Sequence, residues 1–352
     1  MIVRLLSACL LAAMMVFAPG AAQAAVVLVY HHVSDQTPSS TSVTSERFEA
    51  HLDYLQAESF EVWPVERLLV AVMENTEPVP AKTVAITFDD AYRSVYETAW
   101  PMLRKRQMPF AVFVNTDAVD AGHAPYLTWN ALRELHADGV TIGNHSASHA
   151  HLIAHQPGQS DEAWSNRIRG DLAKAQQRIT EEIGTKPVLF AYPYGEDSAA
   201  VAELVDEQHR FALVQRSGAV GVHTNPMAVP RFPMANGFDG LDRFALAVHS
   251  RALPVTDAKP KPPGDGVRGP LQSLELNVAE GRYRAEQMAC FTSSGARLET
   301  RITEGPPLEI EIRVDGAGSI GRNKINCTAP AADGSGAFFW YAFQWVQQEV
   351  RD

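Results

Sequence analysis

The sequence predicts an α/β fold, a mostly parallel sheet or barrel with helices outside it, followed by a small all-β domain. Three observations carry this. Short apolar runs alternate with segments of helical period through the first two thirds of the chain. A stretch rich in proline and charge, residues 253–266, then breaks the alternation. Beyond it, runs of period two or of aromatic residues, separated by glycine turns, replace the helical pattern.

The elements follow in order. Residues 1–24 hold one basic residue, Arg4, an apolar run from Leu5 to Ala18 and the triplet Ala22-Gln23-Ala24, the pattern of a cleaved signal peptide. That run is shorter than the roughly 20 apolar residues a bilayer span needs. Leu6-Ser7-Ala8-Cys9 resembles a lipidation box, but it lies too early in the apolar run, and Cys9 is expected to leave with the signal. The mature protein is therefore expected to be exported, to a bacterial periplasm or beyond. Domain boundaries are expected at 25–254 for the α/β domain, 255–270 for a Pro-rich linker and 271–352 for the β domain.

Within 25–254, apolar runs at Val26–Tyr30, Thr83–Phe88, 110–115, 140–143, 188–191 and 211–215 read as buried strands. Between them Ser45–Ala57 and residues 95–106, 129–138, 161–184 and 199–209 read as helices. After the linker, 274–278, 308–314 and 338–346 read as strands of a domain of roughly 80 residues, a size that gains from a covalent staple. Cys290 and Cys327, the two cysteines outside the signal, most simply form that disulfide; a zinc site has no histidine between or beside them. The aromatic run Phe338, Phe339, Trp340, Tyr341, Phe343 and Trp345 reads as core of this domain before it reads as a sugar platform. A formal charge of −11 argues against nucleic acid and anionic membranes as partners.

Two clusters carry chemistry. Asp89 and Asp90 close the run Thr83–Phe88, and His145 and His149 follow the apolar segment 140–143. Imidazoles four apart on one helical turn project to the same side. One carboxylate and two imidazoles make a three-ligand site with a position left for water, as in catalytic rather than structural metal centres. The adjacent carboxylate is then free as a base, which points to metal-assisted hydrolysis. The bland alternative is two carboxylates capping a helix that starts near Ala91. His151 and His155 share the same spacing, but follow no strand directly and read as surface residues.

Thr87-Phe88-Asp89-Asp90, His145-Ser146-xx-His149 and Tyr192-Pro193-Tyr194-Gly195, in this order, resemble the polysaccharide deacetylases with NodB homology, carbohydrate esterase family 4. The resemblance spans residues 26 to about 250 and implies a distorted (β/α) barrel. It implies that Asp90, His145 and His149 hold one divalent metal, zinc foremost, with cobalt, nickel or iron also suited to this donor set. It implies Asp89 as catalytic base and an oxyanion hole at the Tyr194 N–H, with Tyr192 and Pro193 near the sugar; Trp129, which opens a helix, reads either as a wall of the sugar pocket or as core packing. His31, at the end of Val26–Tyr30, resembles the general acid in the permuted motif order of exported deacetylases of poly-β-1,6-N-acetylglucosamine, and His32 would then face away. The arginine expected three residues before Pro193 is replaced by Phe190, and Arg231 is the candidate substitute, by pairing with Asp89. The substrate implied is an N-acetylglucosamine polysaccharide, with exopolysaccharide synthesis or export machinery as candidate partners. A peptidoglycan or chitin-type deacetylase or an O-acetyl esterase is the nearest alternative. A carbohydrate-binding protein with a vestigial site is the alternative of another class.

Overall fold

In the computed structural model the described residues are 25–261, 270–316 and 318–347. The expected signal peptide lies outside them. Seven parallel strands form the first domain: β1 Val26–Tyr30, β2 Thr83–Phe88, β3 Phe110–Val114, β4 Thr141–Asn144, β5 Leu189–Ala191, β6 Phe211–Leu213 and β7 Phe232–Pro233, in the order β7-β1-β2-β3-β4-β5-β6. A further pair, Glu61–Val62, joins the start of β2. β1, β2 and β3 are buried at every position, which is why they read as unbroken apolar runs: helices cover one face and the barrel interior the other.

A single stretch of chain closes the sheet. Val229 bonds to β6 on one side, and three residues later Phe232 lies on β1. The result is a distorted barrel with helices α1 Ser45–Ala57, α2 Val65–Glu74, α3 Trp100–Lys105, α4 Trp129–Ala137, α5 Asp161–Ile183, α6 Ala199–Asp206 and α7 Leu241–Val248 among its connections. Thr44, Thr128, Ser160 and Ser198 each accept a backbone N–H at the start of a helix, fixing where α1, α4, α5 and α6 begin. Among the described residues no helix is long and apolar enough to cross a membrane.

The second domain packs two sheets face to face. One is β8 Val255–Lys261, β9 Ser273–Val278, β11 Glu299–Thr303 and β12 Leu308–Arg313, in the order β8-β9-β12-β11. The other is β10 Ala289–Thr292, β13 Gly321–Pro330 and β14 Phe338–Gln347, with Arg251–Ala252 added in parallel to β14. Leu274, Leu276, Ile310 and Ile312 from the first sheet meet Ile325, Ala329, Phe339 and Trp345 from the second. Most of the aromatic run is thus core, while Trp340 turns the other way and packs edge-on against Phe232 of the barrel, at 5.3 Å.

One boundary differs from expectation. Residues 255–261, read as linker, form β8, paired along its length with β9. β8 is an edge strand, where Pro260 costs no ladder bond, and its charged residues lie on its outer side. The remainder of the expected linker, 262–269, lies outside the described residues.

Cys290 and Cys327 sit opposite one another on β10 and β13 and are bonded, with S–S at 2.08 Å, both fully buried. Titration of thiols in denaturant without reductant should find neither Cys290 nor Cys327 free. Replacing both by serine should lower unfolding stability by about 2–5 kcal/mol, and an unchanged denaturation midpoint would show the bridge is dispensable.

Candidate active site

The site forms where β1, β2, β4, β5 and β6 end, the edge at which parallel α/β sheets gather chemistry. β2 runs one residue past its formal end, since the Asp89 N–H donates to the Tyr30 carbonyl at 3.0 Å. Asp90 and Ala91 then take left-handed backbone, φ 71° and 53°, and two successive carboxylates are sent in different directions.

His145 directly follows β4 and keeps its ladder bond to the Val114 carbonyl, at 3.0 Å. The expected helical turn after it is absent. Ser146 and His149 are left-handed, φ 65° and 55°, and the chain forms a tight loop. Short polar side chains hold it: Ser146 Oγ accepts the His149 N–H at 2.9 Å, Asn144 Oδ1 accepts the Ser146 N–H at 2.8 Å, and Asp171 accepts the N–H groups of Ala147 and Ser148. The convergence of the two imidazoles is made by loop geometry, not by helical period.

His145 Nδ1 donates to the Ala191 carbonyl at 2.7 Å, which leaves a lone pair on its Nε2. That lone pair faces Asp90 Oδ1 at 3.3 Å, and His149 Nε2 lies 3.0 Å from the same oxygen. The three ligand atoms lie within 4.8 Å of one another, and buried Asp90 Oδ1 has no hydrogen-bond donor. A carboxylate oxygen facing a nitrogen lone pair is repulsive unless positive charge lies between them. The electrostatics agree. Burial disfavours the Asp90 anion, yet His145 and His149 hold its carboxyl well below the usual range. Burial also opposes charge on His145, yet Asp90 and Asp89 raise it. This donor set fits a divalent ion such as zinc.

Asp89 faces the other way, onto Arg231. Both are fully buried. Nη1 reaches Oδ1 at 2.7 Å and Nη2 reaches Oδ2 at 2.8 Å, a two-pronged pair, while Arg231 Nε donates to the Val214 carbonyl and Nη1 also to Thr87 Oγ1. Burial works against the Asp89 anion, but Arg231 and His145 outweigh it and hold the carboxyl below its usual range. Arg231 thus stands where an arginine at 190 was expected, and Phe190 packs in the core against Tyr192 and His209.

The Gln215 side-chain amide donates to Asp89 Oδ2 at 3.1 Å and lies 3.2 Å from His31 Nε2. His31, just past β1, is therefore joined to Asp89 through one residue; burial pushes its imidazole below the usual value. His32 does not turn away from the site. It is stacked on Tyr92 at 3.6 Å and pushed down to about 4 by burial. His249 lies away from this site, against Tyr54 and Phe60.

Tyr194 follows β5 in a short 3-10 turn, Pro193–Gly195, with left-handed backbone at φ 59°. At the start of such a turn the N–H has no carbonyl behind it to bond. Its ring lies beside the Asp90, His145 and His149 cluster, 4.7 Å from His149 and stacked at 4.0 Å on His151. Three expectations about the sugar pocket are corrected. Tyr192 is fully buried with its hydroxyl donated to the Met227 carbonyl, and Pro193 is buried beneath the turn, so neither meets substrate. Trp129 has its indole N–H on Asp120 and its ring under Arg178, a structural lock at the start of α4. The residues that line the rim are Tyr92, Tyr126 and Tyr194. Tyr92 lies beside Asp90 and 5.1 Å from Tyr126. No spacing in the sequence marked Tyr126 or Gln215.

The family model for polysaccharide deacetylase matches residues 76–211. The putative polysaccharide deacetylase YxkH of Bacillus subtilis is 24% identical over 61% of this chain and 72% of its own. The poly-β-1,6-N-acetyl-D-glucosamine N-deacetylase of Staphylococcus aureus (strain MRSA252) is 23% identical over 58% of this chain and 71% of its own. Among solved structures, the Streptococcus pyogenes deacetylase PplD in complex with acetate superposes with a TM-score of 0.58 at 18% identity, covering 64% of this chain and 99% of that one. IcaB from Ammonifex degensii superposes with a TM-score of 0.55 at 24% identity, covering 65% and 98%. Residues 76–211 thus match the polysaccharide deacetylase family, and the barrel shares the fold of solved deacetylases, which points to a hydrolase of that class.

Changing Asp90, His145 or His149 singly to alanine should remove bound metal and turnover together, read by metal content and product release. Full metal occupancy in any of the three would show the ligands are wrongly chosen. Arg231→Met should leave Asp89 buried and unpaired and lower stability by about 3–5 kcal/mol, read by chemical denaturation.

Proposed function

We propose that this protein is an exported N-deacetylase of an N-acetylglucosamine polysaccharide, best suited to a poly-β-1,6-linked exopolysaccharide. The observation that carries the reading is the chain of contacts Arg231–Asp89–Gln215–His31 beside the Asp90, His145 and His149 cluster. It sets a carboxylate and an imidazole on a single amide bridge, next to a metal site. The N-terminal position of His31 and the named activity of the S. aureus relative favour the β-1,6 exopolysaccharide over peptidoglycan, chitin or an O-acetyl ester.

Asp90, His145 and His149 would hold the ion, which when bound polarises the acetyl carbonyl and acidifies a water. Asp89, kept ionised by Arg231, takes the proton from the attacking water as the new carbon–oxygen bond forms. The Tyr194 N–H donates to the oxygen on which negative charge develops. His31 gives a proton to the nitrogen as the carbon–nitrogen bond breaks, and acetate and a free amine leave. Tyr92, Tyr126 and Tyr194 offer ring faces to the sugar. The buried disulfide and the apolar leader-like start of the chain suit an oxidising compartment outside the cytoplasm.

Acetate release from β-1,6 and β-1,4 N-acetylglucosamine oligomers, with and without added metal, tests the substrate; equal or greater turnover of the β-1,4 series would overturn the assignment. Asp89→Asn should retain metal and lose about 10²–10⁴-fold in kcat, the range for a general base; comparable turnover would place the base elsewhere. His31→Ala should keep metal and slow amide hydrolysis far more than hydrolysis of an activated acetyl ester, whose leaving group needs no proton. An equal loss on both substrates would remove His31 as the acid.

A further inference from the structure

The two turns that carry the proposed chemistry touch each other. A Cβ placed on Gly195 would lie 2.4 Å from Gln215 Cβ and 2.5 Å from its backbone nitrogen. The Tyr194–Gly195 turn is therefore seated directly on the residue that bridges Asp89 and His31. Three side chains of the β domain hold this pair from outside the barrel. Arg322 Nη1 donates to the Tyr194 carbonyl, Gln344 Nε2 donates to the Gly195 carbonyl at 2.7 Å and to Asp197 Oδ1 at 3.3 Å, and Lys324 Nζ donates to the Gln215 carbonyl. Arg322 and Lys324 are alternate residues of β13, and Gln344 pairs with Lys324 on neighbouring β14, so all three come from one patch of one sheet.

We infer that the β domain completes the active site, with Arg322, Lys324 and Gln344 as positioning residues that fix the Tyr194 amide and the Gln215 bridge. The need for such a hold is visible in the backbone. A tyrosine in left-handed conformation is strained and persists only where its surroundings over-determine it. Within the barrel, the turn's own bonds are Gly195 N–H to the Tyr192 carbonyl at 2.8 Å and Glu196 N–H to the Pro193 carbonyl at 3.2 Å. The β domain supplies bonds to the next two carbonyls. Its side chains are held in turn: Asp197, which receives Gln344, is paired with Arg216 at 2.9 Å. Burial beside Arg322 and Arg216 pushes the Lys324 amine down to about 7, so the fold holds that lysine against its preference for water.

The inference rests on the roles proposed above for Tyr194, Asp89 and His31, and its test separates the two. In the full-length, metal-loaded protein, Arg322→Ala and Gln344→Leu should lower kcat about 10–100-fold, less than deleting an oxyanion donor outright. The loss should be equal for the amide and for an activated acetyl ester, because both develop the same oxyanion. Lys324→Met should slow the amide more than the ester, because it loosens the residue that holds His31, and Lys324→Arg should restore turnover. KM, metal content and melting temperature should stay near those of the parent. Parental kcat in Lys324→Met and Arg322→Ala would overturn the inference, as would losses that merely follow metal content or melting temperature. Failure of the catalytic reading shows separately, as unimpaired turnover in Asp89→Asn.

Discussion

The buried pair between Arg231 and Asp89 is the constraint on which the rest of the site depends. Two charges with no access to water are tolerable only when each hydrogen-bonding position is met, and here every neighbour contributes: Thr87, the Val214 carbonyl and the Gln215 amide. Those partners lie on or beside β2 and β6, and Arg231 itself lies on the segment that closes the barrel. The pair therefore joins the strand that presents both carboxylates to the last part of the sheet to be assembled. A carboxylate fixed in this way cannot swing toward the cluster formed by its neighbour Asp90, which keeps the two carboxylates apart although they are consecutive.

Backbone strain is concentrated where the chemistry is. Of the nine non-glycine residues with positive φ among the described residues, five, Asp90, Ala91, Ser146, His149 and Tyr194, belong to the site. Each bends the chain at or just past a strand end; side-chain bonds hold Ser146 and His149, the Leu127 N–H holds the Ala91 carbonyl, and the second domain holds Tyr194. This is a cost in stability accepted to place functional groups.

The barrel was legible because its strands are buried on both faces. Val26–Tyr30 and Thr83–Phe88 read to the residue, and so did Ser45–Ala57, whose threonine cap precedes a clear helical period. α2 was missed although its apolar face is pronounced, and β13 was missed because half its positions, Arg322, Lys324 and Asn326 among them, face away from the sandwich core. β8 looked like a linker because an edge strand tolerates proline and charge. The metal cluster was legible as residue types at strand ends, but not its loop geometry, since left-handed serine and histidine leave no periodic trace. Arg231 could be guessed only because an arginine was missing at 190. Gln215, Tyr126 and the β-domain side chains had no local signal, because their roles arise from contacts between distant segments.

The strand order has a consequence for how the chain comes to be folded. β1 precedes the other strands of this sheet in the chain, yet it lies between β2 and β7, and β7 is about two hundred residues downstream. Until residues 229–233 arrive, β1 has one row of N–H and C=O groups without a partner on an apolar strand, the kind of edge that recruits other chains. Contacts so distant in sequence also form slowly. A nascent chain thus carries an adhesive edge on β1 until the barrel closes on the arginine that also holds Asp89.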